Sequence, residues 1–178
     1  EKIALGLAAP PTEDVPFELL TKDDLVKRAL AERAERARTE RMRIKLGGRA
    51  TPWTDHVVTS GASGKSYRVA LRGWERGESY CSCPDFRTNT LGTCKHILFA
   101  LAQVKRQYPA KAWRKPYRRT HISVSLAYGA EAELRMLLPD RLPPEIAAIA
   151  RPVTGSPITD IPELLSRIEK LERRGHPV

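Results

Sequence analysis

The three cysteines of this chain, Cys81, Cys83 and Cys94, all lie within fourteen residues, and His96 follows two positions after the last of them. Two short-spaced pairs result, Cys81-Ser82-Cys83 and Cys94-Lys95-His96, with ten residues between them, Pro84 to Thr93. In an extended segment, residues two apart point to the same side, so both thiols of the first pair share a face. The second pair stands where a helical pattern begins, and Gly92 eases the turn into it. A fold that brings the pairs together supplies four donors, the number a tetrahedral metal ion takes. An odd cysteine count at this spacing is a poor disulfide framework. A Cys-x-Cys pair outside a thioredoxin-like context is weak evidence for redox chemistry. The expectation is therefore one zinc ion held by Cys81, Cys83, Cys94 and His96. Three thiolates and a neutral imidazole leave such a site at a net charge of about −1. No fifth donor stands nearby, and closed spheres are structural rather than catalytic.

Around this cluster the pattern is mixed. Thr21 to about Leu46 reads as a helix, with Thr21 and Asp24 spaced as a capping box and no glycine or proline before Gly47-Gly48. Its apolar stripe is thin, and Arg28, Arg33, Arg36, Arg38, Arg41, Arg43 and Lys45 cover much of the rest. Tyr67, Val69 and Leu71 alternate with Arg68, Ala70 and Arg72, a strand pattern preceded by the apolar run His56-Val57-Val58. With Ser79 to Cys83 this predicts a hairpin or a small three-stranded sheet. Lys95 to Tyr108 predicts a helix capped by Thr93, with Ile97, Leu101, Val104 and Tyr108 on one face and Phe99 on the other. His121 to Tyr128 predicts a strand; Ala130 to Leu138, Pro144 to Ala150 and Ile161 to Arg174 predict helices.

At this point the sequence resembles a known family. Tyr80-Cys81-Ser82-Cys83-Pro84-Asp85-Phe86 followed by Cys94-Lys95-His96-Ile97-Leu98 looks like a SWIM zinc finger, and the likeness covers roughly Trp53 to Tyr108. The resemblance implies a small ββα fold built on those four ligands. Its members occur in bacterial Swi/Snf-like helicases, in transposases and in recombination-associated proteins, and are taken to bind DNA or other proteins. More loosely, a basic helix, then Asn89 to His96, then the strand at Ile122 to Tyr128 is similar to the region preceding the ATPase core of such helicases. The motor itself is not in these residues. The fold class expected is α+β: a ββα zinc module at 51–110, an N-terminal helical segment at 1–50, and a basic linker, strand and helices at 111–178.

Charge bears on partners. Lys and Arg total 31 against 21 Asp and Glu, a formal net charge of +10 over 178 residues. Such an excess favours polyanions, nucleic acid before membrane. No apolar run approaches the roughly 20 residues of a spanning helix. Glu1 to Pro10 imitates a signal peptide but has a single basic residue, Lys2, and runs into acidic sequence. A cytoplasmic location is expected, on the nucleoid in a bacterium, and the missing initiator Met hints at a piece of a longer chain. Candidate phosphate contacts are Lys65, Arg68, Arg72, Lys95, Arg106, Lys111, Arg114, Lys115, Arg118 and Arg119, with Trp74, Trp113 and Tyr117 as stacking residues. A protein partner, either a Swi/Snf-like ATPase domain or a recombination protein, is the alternative.

No enzyme is expected in this segment. Thr59 to Ser66 imitates a phosphate-binding loop but has Thr59 where the pattern needs glycine, and a strand follows where a helix is required. It is read as a hairpin turn. His56, His121 and His176 are scattered, with no nucleophile or carboxylate partner in sequence.

Overall fold

The computed structural model describes residues 20–128 and 132–178. The signal-like start, Glu1 to Pro10, lies outside them. The chain divides into two compact units, Glu1–Lys115 and Pro116–Val178.

In the first unit, helix α1 (Lys22–Thr39) opens on the capping box the sequence announces: Thr21 accepts from the Asp24 amide, and the Asp24 carboxylate accepts from the Thr21 amide. The helix does not run to Leu46. It stops at Thr39, and Met42–Lys45 forms strand β1, paired antiparallel with β2 (Asp55–Ser60). Met42 and Ile44 turn inward while Arg43 and Lys45 stay exposed, a period of two concealed inside a basic run. The return to β2 is tight. A Cβ on Gly47 would meet the Asp55 carbonyl oxygen at 1.7 Å, so only glycine fits there.

Strand β3 (Ser66–Ala70) pairs with β2, and the short β4 (Tyr80–Cys81) pairs with β3, giving a four-stranded sheet in the order β1-β2-β3-β4. The glycine-rich segment between β2 and β3 is a turn, as its chemistry predicts. Helix α2 (Pro84–Thr88) lies within the spacer between the cysteine pairs, where no element was expected. Proline at its first position and a Cys83 cap start it, and five residues give too short a window for a periodic signal. Helix α3 (Lys95–Gln107) matches the expected helix, although Cys94 and not Thr93 occupies its N-cap. It touches all four strands and α1. Val58, Val69, Leu71, Ile97, Ala100, Leu101 and Val104 are buried, and Phe99 is half-buried. A four-residue helix, α4 (Ala110–Trp113), closes the unit.

In the second unit, β5 (Ser123–Tyr128) pairs antiparallel with β6 (Ala132–Leu137). Ala130 to Leu138 was expected to be helical; 132–137 is a strand, while Ala130 lies outside the described residues. Ala, Glu, Leu, Arg and Met all favour helix in isolation. Pairing with β5 and burial of Met136 override that preference. Helices α5 (Pro144–Ala150) and α6 (Ile161–Glu172) supply the rest of a core made by Ile122, Met136, Ile146, Ala150, Leu164 and Leu171. The observed class is α+β, with a hairpin where one C-terminal strand was expected. Among the described residues no helix is long and apolar enough to cross a membrane.

Candidate metal centre

The sheet and α3 meet at the cysteine cluster. Cys81 ends β4, Cys83 follows as the cap of α2, Cys94 caps α3, and His96 sits in that helix's first turn. All four are buried, and their donor atoms lie within 4.8 Å of one another. His96 Nδ1 is 4.0 Å from both Cys81 Sγ and Cys94 Sγ. A tetrahedron with zinc–sulfur bonds of about 2.3 Å has edges of about 3.8 Å, so a small inward movement closes the sphere. The residues fit one metal ion, and among the described residues no other group of His, Cys, Asp and Glu does so.

Electrostatics point the same way. Hydrogen bonds from the Cys81 and Cys94 thiols hold Cys83 well below the ordinary thiol range, and the Phe86 amide donates to its sulfur at 3.3 Å. The bond from Cys81 to Cys83 pushes Cys81 up to about 12. Cys94, bonded to Cys81 and Cys83, is pushed up as well. Three thiols buried this close disfavour one another's ionisation, and a cation at their centre would let all three ionise. His96 Nε2 is, among the described residues, the one buried side-chain nitrogen or oxygen without a hydrogen-bond partner. With Nδ1 turned to the sulfurs, a neutral ring carries its proton on Nε2. The Tyr67 ring lies 4.7 Å from the imidazole, tilted 40° to it.

The spacer is braced from inside. The Asn89 amide donates to the Asp85 and Thr93 carbonyls, at 2.5 and 3.3 Å, and its oxygen accepts from the Leu91 amide. Gly92 has φ +67°, the left-handed conformation glycine adopts without strain, and its carbonyl accepts from the Gly77 amide. Asp85 forms a two-pronged pair with Arg33 of α1, at 2.6 and 3.1 Å. Sequence inspection did not single out Arg33 as a partner, because 52 residues separate it from Asp85.

The expected phosphate contacts divide by environment. Lys65 is exposed in the β2–β3 turn. Arg68 and Arg72 converge on Asp55, at 3.1 and 2.6 Å, and the Arg68 guanidinium also lies over Tyr80. Lys95 is largely covered and pairs with Glu40, whose carboxyl is held below its ordinary range by Lys95 and then Arg36. Arg106 at the end of α3, Lys111 on α4, and Arg114 and Lys115 just after α4 are exposed. In the second unit Arg118 is exposed, and Arg119 donates to Ser123 and lies over Tyr117. The expected stacking residues are engaged. Trp74 stands between Trp53 and Trp113, with centroids at 5.2 and 5.5 Å, all edge to face. Lys105, which sequence inspection passed over, lies 4.8 Å above Trp74, and Arg114 lies 5.6 Å from the Trp113 centroid. A sequence signal for this region exists: no Asp or Glu occurs between Asp85 and Glu131.

Compared with known proteins, the chain matches no protein-family model, no curated protein and no solved structure.

Proposed function

We propose that this chain is a SWIM-type zinc-finger protein that binds nucleic acid, DNA in particular, as an accessory part of a Swi/Snf-like helicase. One structural Zn²⁺ held by Cys81, Cys83, Cys94 and His96 ties β4 to α3, and the chain's part is binding rather than catalysis. It works in the cytoplasm, on the nucleoid in a bacterium. The observation that carries the binding reading is the acid-free stretch after Asp85, whose cations Arg106, Lys111, Arg114 and Lys115 are all exposed on α3, on α4 and just after it. Lys65, and Arg118 and Arg119 of the second unit, add to the positive surface of their units. Arg68, Arg72 and Lys95, joined to carboxylates, contribute less. If about five phosphates are neutralised, log affinity falls against log salt with a slope near −4.5. Titration of duplex DNA at several salt concentrations measures this, and a flat response would count against the reading. Metal analysis of the purified protein checks the zinc, expected at about one per chain from four donors.

A second reading has its own observation. Ile161 and Leu165, one turn apart on α6, are 41% and 59% exposed. They fit a surface that docks on a helicase motor or a recombination protein. Co-purification with such a partner that is lost in Leu165→Glu but kept in Lys115→Glu would favour docking over nucleic-acid binding.

A further inference from the structure

We infer that the α3–α4 surface grips the phosphate backbone of double-stranded nucleic acid without reading its bases and without stacking on them. The inference rests on the nucleic-acid reading above and names which form is bound and how.

Three features of the surface lead there. First, the aromatic side chains that would receive an unpaired base are occupied. Trp74 has perpendicular neighbours in Trp53 and Trp113 and the Lys105 ammonium over its ring, while Trp113 has Arg114 over its own. The Trp53 indole N–H donates to the Lys115 carbonyl, which fixes the stack to the backbone of the cationic segment. A base that stacked here would have to displace a cation from an indole, trading one favourable contact for another. Second, neither helix of this surface offers its N-terminal turn to a groove. The N-terminal turn of α3 carries Cys94 and His96 into the metal cluster, and α4 has four residues. In helix-turn-helix proteins the recognition helix contacts base edges with its N-terminal residues. Third, what remains exposed is charge: Lys105, Arg106, Lys111, Arg114 and Lys115, on a segment with no acidic residue. Duplex DNA carries its phosphates at higher density than a single strand, and such contacts carry no sequence information.

The three tryptophans are all the chain has, so selectively excited tryptophan emission reports on this stack alone. The test titrates the full chain with a labelled duplex of about 20 base pairs, a shuffled duplex and an oligo-dT strand of equal length, following anisotropy and tryptophan emission. We expect the two duplexes to bind within about threefold of each other, the strand at least about fivefold more weakly, and emission to change little. Lys111→Glu with Lys115→Glu should weaken duplex binding at least about tenfold while metal content stays at wild-type level. Equal or tighter binding of oligo-dT with quenched emission overturns the inference and leaves nucleic-acid binding standing. A difference above about tenfold between the two duplexes, or a charge-reversed variant that binds as wild type, also overturns it. Failure of all three nucleic acids to bind at low salt removes the nucleic-acid reading itself.

Discussion

His56 is held as a neutral imidazole. It is fully buried, donates from Nε2 to the Pro52 carbonyl at 2.8 Å, and accepts the Gly47 amide at Nδ1. Burial lowers its pKa below the ordinary value near 6.5. Between the lowered value and about 6.5 the unfolded chain therefore binds more protons than the folded one, and stability falls as pH drops through that window. His56→Gln can keep both hydrogen bonds without titrating. Its denaturation midpoint should vary less between about pH 6.5 and 5 than that of the wild type, and chemical denaturation at a series of pH values measures this. Lys95 is a second residue whose role differs from its appearance. It looks like a phosphate contact, yet its ammonium pairs with Glu40, 55 residues away, and no sequence pattern carries that information. Lys95→Met should cost about 1 kcal/mol in thermal or chemical denaturation and leave DNA affinity within about twofold. The clustered candidate donors, Cys81, Cys83, Cys94 and His96, are legible for the opposite reason. Their chemistry depends on local spacing, which the sequence displays directly. Cys81→Ser should remove stoichiometric metal and unfold the first unit, read by metal analysis and circular dichroism.

At the scale of elements, legibility followed the strength of the periodic signal. Helix α3 was evident from its apolar face, and β3 from strict alternation. Strand β1 was not, because Arg41, Arg43 and Lys45 made Met42 and Ile44 look like part of a basic helix. Strand β6 was missed because its residues prefer helix until a partner strand is present. Long-range ties between elements lie beyond sequence inspection altogether. The Arg33–Asp85 pair links α1 to α2 and to the spacer that sets the distance between the cysteine pairs. Both partners retain some exposure, so Arg33→Ala should cost only about 1–2 kcal/mol. The same change should weaken metal retention against a competing chelator, since Asp85 and Asn89 brace one turn. Retention equal to wild type would show that α1 has no part in holding the spacer.

The chain divides into two compact units, and among the described residues the candidate metal donors lie in the first. The core of the second unit is made by Ile122, Met136, Ile146, Ala150, Leu164 and Leu171. Chelation should therefore melt the first unit and spare the second. Hydrogen exchange after metal removal should show loss of protection in β2, β3 and α3, with β5, β6 and α6 unchanged. Uniform loss across both units would show that their stabilities are coupled.

The ends of the four-stranded sheet have a consequence for the protein at high concentration. One border is β4, two residues long, and the other is β1, whose Arg43 and Lys45 point into solvent. A second molecule adding its own β1 there would bring like charges face to face, and β4 offers too little backbone to extend a ladder. The sheet is thus protected from growing into a fibre at either border, by repulsion at one and by brevity at the other.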